Sequence, residues 1–335
     1  MKLIFHHPPF FGGDDANTDR HFVIIGGVSS IAFSSLTAMP NLLVVDDSAT
    51  QITLIRSIVK DLDFSVWTAS DGSEALRLLQ RQQPDLVVTD MEMPEMNGLE
   101  LIRNMRKVCP LVPAVLVTAF GNEHLAAEAL GVGAANYISK DHIGVLLPDI
   151  LQRILMFTEA NAESLDLKGT LDRSSFDFLL DCSIERITPL VCLQLRLLAA
   201  MNVLHTGERI RIAEALNYLL FYAIVHGNLE VPVDATPISI ERAIAMVQSK
   251  RGDEATRRMS ERNVTMRLEV SDRQARFSVS HQGDGQSIHH APLPGTPQSF
   301  ADERGRGMLL LTSVMNEVFI DPSTYDVTMV KYIDG

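Results

Sequence analysis

Basic residues are scarce in this chain. Its 335 residues hold 29 Lys and Arg against 42 Asp and Glu, a formal net charge of -13 at pH 7. Phosphate backbones select faces rich in Lys and Arg, so this balance argues against a nucleic-acid partner. It argues equally against an anionic membrane surface. The one Arg-containing stretch, Arg251 to Arg262, is diluted by Asp253, Glu254 and Glu261 and reads as a solvated face or loop. Cysteine is scarce too. Cys109, Cys182 and Cys192 lie among apolar residues with no metal-type spacing. Packed thiols in a reducing cytoplasm are the expected state, ahead of a disulfide framework or a zinc site. What is present is ordinary for a soluble globular protein, with 46% hydrophobic and 21% charged residues. The length suggests about two domains, each able to bury a core.

Residues 1–40 differ in character from the rest of the chain. Met1 to Arg20 is rich in His, Pro and Gly, and His21 to Ala38 is mildly apolar with several Ser and Gly. A secretory signal would place cleavage near Ala38, but no basic n-region stands out and Asp14, Asp15 and Asp19 precede the apolar run. Met39 stands just before the first strand. The expectation is a disordered leader or a start placed too far upstream, ahead of a membrane anchor.

From Asn41 short apolar runs alternate with amphipathic stretches, the pattern of a parallel, doubly wound α/β sheet. Strands are expected at Leu42 to Val45, Phe64 to Thr68, Leu86 to Thr89, Ala114 to Val117 and Asn136 to Ser139. Helical spacing covers Ile52 to Leu62, a helix opens at Asp71 and Ser73, and another runs from Asp149 to Phe157. In such a sheet ligands bind beyond the carboxyl ends of the strands. Asp46, Asp47, Asp90, Thr118 and Lys140 all fall there, so they converge on one crevice. Three carboxylates together need a cation, and hard oxygen ligands suit Mg²⁺. Lys140 and Mg²⁺ can neutralise the charge that grows on a transferring phosphoryl group, while Thr118 offers it a hydroxyl.

These residues carry a close resemblance to the response-regulator receiver family. Val44-Val45-Asp46-Asp47-Ser48 resembles its acidic-pair motif, and Val87 to Pro94 followed by Asn97-Gly98 resembles its phosphorylation loop. The resemblance spans residues 41–157 and implies that Asp90 is the phosphoacceptor. It implies further that Glu92 contributes a backbone carbonyl to Mg²⁺ and that Thr118 and Tyr137 form the switch pair. One departure is Asp141 after Lys140, where the family usually has Pro.

Residues 158–174 are polar and read as a linker. Residues 175–335 then give a strand at Phe176 to Leu180 and long helices at Ile184 to Leu204 and Ile210 to Val225. A hairpin comes next at Val264 to Val270 and Ala275 to Ser280, then a helix near Met308 to Met315 and strands at Glu317 to Ile320 and Val327 to Tyr332. This is an α/β sandwich with a mixed or antiparallel sheet.

Three ordered boxes carry a second resemblance: Ala223 to Glu230 with His226-Gly227-Asn228, then Gly283-Asp284-Gly285, then Arg304 to Leu311. Together they resemble the anti-sigma-factor serine kinases of the histidine-kinase-like ATPase fold. The resemblance implies that Gly283, Gly285, Gly305, Arg306 and Gly307 belong to a nucleotide site with Pro292 to Pro297 as its lid. What this domain lacks then becomes the point. The family's Mg²⁺-holding Asn falls on Tyr222, the Glu one turn earlier on Tyr218, and the adenine-reading Asp on His281. Tyr is no compact carbonyl ligand, and His is not an acceptor-only carboxylate. Shifting the register to Glu214 or Asn217 breaks the spacing. The two tyrosines read as groove- or core-filling aromatics on one helix face. A metal on His281, His289 and His290 lacks Cys or carboxylate partners, so surface-loop histidines are expected.

The expectation is thus a cytoplasmic response regulator with a degenerate, vestigial ATP site. Its histidine-kinase or phosphotransfer partner phosphorylates Asp90, and a pseudokinase module then gains or loses a protein partner. By resemblance that partner is an anti-anti-sigma-like protein or a sigma factor, and a homodimer stays open. The alternative is an active serine/threonine kinase controlled by its receiver. A third reading is a receiver carrying a purely structural dimerisation module.

Overall fold

A computed structural model describes residues 2–5, 39–119, 123–162, 173–231, 245, 258–283, 303–321, 323–324 and 326–333. The first sheet is built from five short, β-branched apolar runs. They are β2 (Asn41–Val45), β3 (Ser65–Ala69), β4 (Leu86–Asp90), β5 (Ala114–Thr118) and β6 (Asn136–Ser139). Their order is β3-β2-β4-β5-β6 and every pairing is parallel. All five residues of β4 and of β5 are buried, as a sheet covered on both faces requires.

Helices α1 (Ala49–Ile58), α2 (Gly72–Arg81), α3 (Gly98–Val108), α4 (Glu123–Val132) and α5 (Ile143–Ala162) connect and cover the strands. Three of them start on side-chain caps. Ser48 accepts the Gln51 N–H, Asp71 accepts that of Glu74, and Asn97 and Glu100 form a reciprocal capping box. Each cap contributes about 1 kcal/mol by satisfying an otherwise orphaned N–H. The chain reverses its winding between β2 and β4, and this fixes the crevice at their carboxyl ends.

The second sheet is built from β1 (Lys2–Phe5), β7 (Arg173–Leu180), β8 (Val264–Ser271), β9 (Gln274–Ser280), β10 (Glu317–Ile320) and β11 (Val327–Tyr332). Their order is β1-β7-β8-β9-β11-β10, antiparallel throughout the described pairings. On β8, Val264, Met266, Leu268 and Val270 point inward while Thr265 and Arg267 are exposed, so the alternation read from the sequence sets the faces. Helices α6 (Ile187–Ala200), α7 (Thr206–Tyr222) and α8 (Glu303–Val314) accompany this sheet, and a π-helical turn, Ala223–Asn228, extends α7.

Several expectations need correction. Helix α5 starts at Ile143 and runs on through Phe157 to Ala162, carrying Pro148 in its second turn, so the first part of the expected linker is helical. Its continuation keeps Phe157 and Ala160 buried, and that packing outweighs the polar character of the segment. Strand β7 begins at Arg173, earlier than Phe176. From the expected leader, Lys2–Phe5 pairs with β7 as an edge strand, whereas the rest of the leader up to residue 38 lies outside the described residues. Among the described residues no helix is long and apolar enough to cross a membrane.

Helix α5 packs on α6 and α7, and α4 packs on α8. One apolar cluster therefore runs from Leu43 and Tyr137 of the first domain through Leu216 and Leu219 of α7 to Phe277 and Met329 of the second.

Candidate functional site

Asp46 follows β2, Asp90 closes β4, Thr118 closes β5 and Lys140 follows β6. The parallel register therefore sets them along one edge of the sheet. Asp46 and Asp90 are buried, at 2% and 4% exposure, and Asp47 is exposed. Each offers a carboxylate oxygen, and the three oxygens lie within 4.8 Å of one another. Lys140 Nζ sits 2.8 Å from Asp90 Oδ1. The Glu92 N–H donates to Asp90 Oδ2 at 3.3 Å, and the Ser48 N–H donates to Asp46 Oδ1 at 2.8 Å.

The loop after β4 is held tightly. The Gly98 N–H donates to the Met91 carbonyl at 3.0 Å, and a Cβ on Gly98 would meet the Asp90 carbonyl oxygen at 2.1 Å. Only glycine permits that approach, which brings the start of α3 against the backbone of Asp90.

The electrostatics arise from crowding. Burial pushes the Asp46 carboxyl above the usual carboxylate value, with the neighbouring Asp90 adding to the shift and the Ser48 N–H and Lys140 opposing it. Burial alone would lower the Lys140 ammonium, but the hydrogen bond and charge of Asp90, with Asp46 and Asp47 beyond it, raise it. Lys140 is thus fixed as a cation beside the most buried part of an acidic cluster. Like charges this close repel by about 1–4 kcal/mol per pair in a partly solvated setting. Three hard oxygen donors around one point are the ligand chemistry of a divalent cation such as Mg²⁺.

The structure therefore brings Asp46, Asp47, Asp90 and Lys140 into direct reach of one another. Thr118, buried, lies at the next strand end, its hydroxyl directed to the Ala119 carbonyl at 3.4 Å. Tyr137 is buried at 6% exposure on β6. Glu92 enters through its N–H.

In the second domain the helix α7 face carries Tyr218 and Tyr222 with ring centroids 6.0 Å apart, and the His226 ring lies 4.8 Å from that of Tyr222. The Tyr218 ring covers the third box at Gly307. A Cβ on Gly307 would fall 1.5 Å from Tyr218 Cε1, so the ring lies directly on that glycine. Gly305 and Arg306 share the first turns of α8 with Gly307. His281 is half-buried against Gly227, its Nδ1 accepting the Gly283 N–H at 3.2 Å; this corrects the expectation of a surface-loop histidine. Packing on a residue without a side chain is what draws the ring in. Gly285, His289, His290 and the span Pro292 to Pro297 lie outside the described residues.

The structural roles of three polar residues are not foreseen from the sequence. Asn228 is fully buried and its Oδ1 accepts the Gln282 N–H at 2.7 Å, fastening the first box to the second. Asn217 Oδ1 accepts the Thr188 hydroxyl at 3.1 Å. Glu214, whose spacing does not suit a nucleotide ligand, binds Arg153 and Asn136 of the first domain. Its one signal is a lone carboxylate amid Ile212, Ala213, Ala215 and Leu216.

Residues 42–152 match the family described as response regulator receiver domain, and residues 253–331 match the histidine kinase-like ATPase domain. The second match begins after α7, so it includes the two glycine boxes and leaves out Tyr218 and Tyr222. Chemotaxis protein CheY of Listeria monocytogenes is 37% identical over 103 residues, 30% of this chain and 87% of that protein. Transcriptional regulatory protein ZraR of Escherichia coli is 32% identical over 126 residues, 38% of this chain and 28% of that protein. The chain thus spans little more than a quarter of ZraR, and 53% of the Bacillus subtilis regulatory protein PhoP. Among solved structures, the receiver domain of NtrX from Brucella abortus is 30% identical with a TM-score of 0.33, over 34% of this chain and 97% of that one. The acidic crevice and the sequence matches converge: through residues 42–152 the chain belongs to the response regulator receiver family, and it joins that receiver to a histidine kinase-like ATPase domain.

Proposed function

We propose that this response regulator takes a phosphoryl group on Asp90 and that its ATPase-like domain is a protein-binding output without kinase activity. The observation that carries the first part is the Lys140–Asp90 pair at 2.8 Å within the cluster of three carboxylates. The donor is a histidine kinase or phosphotransfer protein. An Asp90 carboxylate oxygen attacks phosphorus, the donor's N–P bond breaks, and the imidazole nitrogen leaves with the electron pair. Lys140 compensates the charge on the phosphoryl oxygens, and the Thr118 hydroxyl donates to one of them. Asp46, Asp47, Asp90 and the Glu92 carbonyl would hold Mg²⁺, which supplies further charge neutralisation. The resulting acyl phosphate draws Thr118 inward and repositions Tyr137.

The second part rests on Tyr218, whose ring covers Gly307 where a phosphate would need the bare backbone. Tyr222 and His281 in place of Asn and Asp point the same way. The output partner is by resemblance an anti-anti-sigma-like protein or a sigma factor, met in the cytoplasm. Calorimetric titration with Mg²⁺-ATP tests the reading. No binding in the micromolar range is expected. Micromolar affinity that is lost in Arg306→Ala would overturn it in favour of a receiver-controlled serine/threonine kinase.

A further inference from the structure

A carboxylate in the middle of an apolar helix must find its partners nearby. The side chain of Glu214 on α7 is 1% exposed and takes its partners from the receiver. Arg153 of α5 donates to it twice, Nε to Oε1 and an Nη to Oε2, each at 3.0 Å. Asn136, fully buried at the start of β6, donates its Nδ2 to Glu214 Oε2 at 2.6 Å. The same Asn136 accepts, on Oδ1, the N–H of Tyr137 at 2.8 Å. A continuous hydrogen-bonded path therefore leads from the main chain of Tyr137 through one amide to a carboxylate on α7. One turn further along α7 stands Tyr218, on Gly307 of α8.

A buried pair of this kind is a poor stabiliser, since apolar residues of the same volume do as well or better. Its physical property is discreteness. The carboxylate is satisfied with Asn136 in place, and a small displacement of β6 leaves a charge-assisted hydrogen bond unmade. Other ties across the interface differ in kind: Arg209 of α7 donates its Nε to Asn161 Oδ1 of α5 at 2.5 Å, a bond between helices that does not reach β6. Arg211 donates to the carbonyls of Leu130 and Ser313, at 2.6 and 3.1 Å. That tie fastens α4 to α8 through main-chain acceptors and does not touch β6.

We infer that Arg153, Glu214 and Asn136 form the latch through which phosphorylation of Asp90 acts on helix α7, and thereby on the surface the second domain offers to a partner. The inference rests on the proposal that Asp90 is phosphorylated and that Tyr137 responds. With the latch intact α7 is held; repositioning Tyr137 shifts Asn136, and α7 loosens.

Hydrogen exchange on the full chain tests this, with Mg²⁺ and beryllofluoride as the phosphoryl mimic. In the wild type, beryllofluoride is expected to change exchange at residues 136–140 and to speed exchange of α7 amides about fivefold or more, the lower end of ordinary allosteric coupling. In Arg153→Met/Glu214→Gln the response at 136–140 persists and that of α7 falls to about twofold or less, below the ordinary range of such coupling. Glu214→Gln alone, which keeps the side-chain shape, shows the same loss. Because coupling is reciprocal, both variants also change beryllofluoride affinity by the factor lost from α7, a shift that a merely structural role would not produce. An undiminished α7 response in the variants, or none in a wild type whose receiver does respond, overturns the latch. An unresponsive wild-type receiver, or a response retained in Asp90→Ala, sinks the phosphorylation proposal and the latch with it.

Discussion

At the scale of single residues, the acidic crevice is held by contacts that leave little room. Gly98→Ala sets a methyl group against the Asp90 carbonyl. The expected result is a loss of about 1–3 kcal/mol of receiver stability, as for other overpacked sites. It should also slow phosphoryl uptake, measured by thermal melting and by labelling with a small phosphodonor. Wild-type stability in that variant would mean the loop after β4 is looser than the distances show. The thiols give an independent check. Burial raises Cys109 and Cys182 and pushes Cys192 up to about 11. At pH 7.5 all three are thiols rather than thiolates, so iodoacetamide should modify them only after unfolding. Stoichiometric alkylation of the native chain would contradict this. At this scale the receiver site is legible in the sequence because strand ends fix where Asp46, Asp47, Asp90 and Lys140 must lie. Glu214 and Asn228 are not, because their partners come from segments distant in the chain, and no spacing reveals a contact 78 residues away.

At the scale of elements, α7 joins most of what matters. Its start is tied by Glu208, which accepts the His205 N–H at 3.3 Å and pairs with Lys331 of β11 at 3.0 Å. Burial alone would raise the Glu208 carboxyl, but the hydrogen bond and charge of Lys331 and the His205 N–H hold it below the usual value. A depressed carboxyl stabilises the fold above its unfolded pKa of about 4.3 and loses that contribution as pH falls through the folded value. Glu208→Gln should therefore cost about 0.5–1 kcal/mol at pH 7 and much less near pH 3. Melting points of the two proteins at both pH values measure it; a gap that persists in acid would contradict the assignment. The sequence periodicity locates α7 but misses its ending. The helix passes into a π turn over Ala223–Asn228, where Asn228 is pinned by Gln282 from another strand's end. Helix α5 outruns its sequence signal for a similar reason, since its last turn is kept by packing and not by its polar composition.

At the scale of the molecule, the receiver and the ATPase-like domain share one apolar cluster and a buried ion pair. The two domains should therefore melt in one cooperative transition rather than two. Arg153→Ala should lower it sharply, because removing one partner strands the Glu214 charge at a cost of about 3–5 kcal/mol. Two well-separated calorimetric transitions would show that the domains fold independently. The two-domain plan is legible in the sequence from the change of periodicity after residue 157. The extent of their contact is not, because an apolar helix face does not announce which neighbour it will meet.

The central claim is that Asp90 is the reactive centre through which this chain is controlled. It is tested most directly by incubating the full chain with Mg²⁺ and a small phosphodonor and reading the intact mass. One phosphoryl adduct is expected in the wild type, lost without Mg²⁺ and absent from Asp90→Ala. An adduct retained in Asp90→Ala, or none in the wild type, would contradict the account.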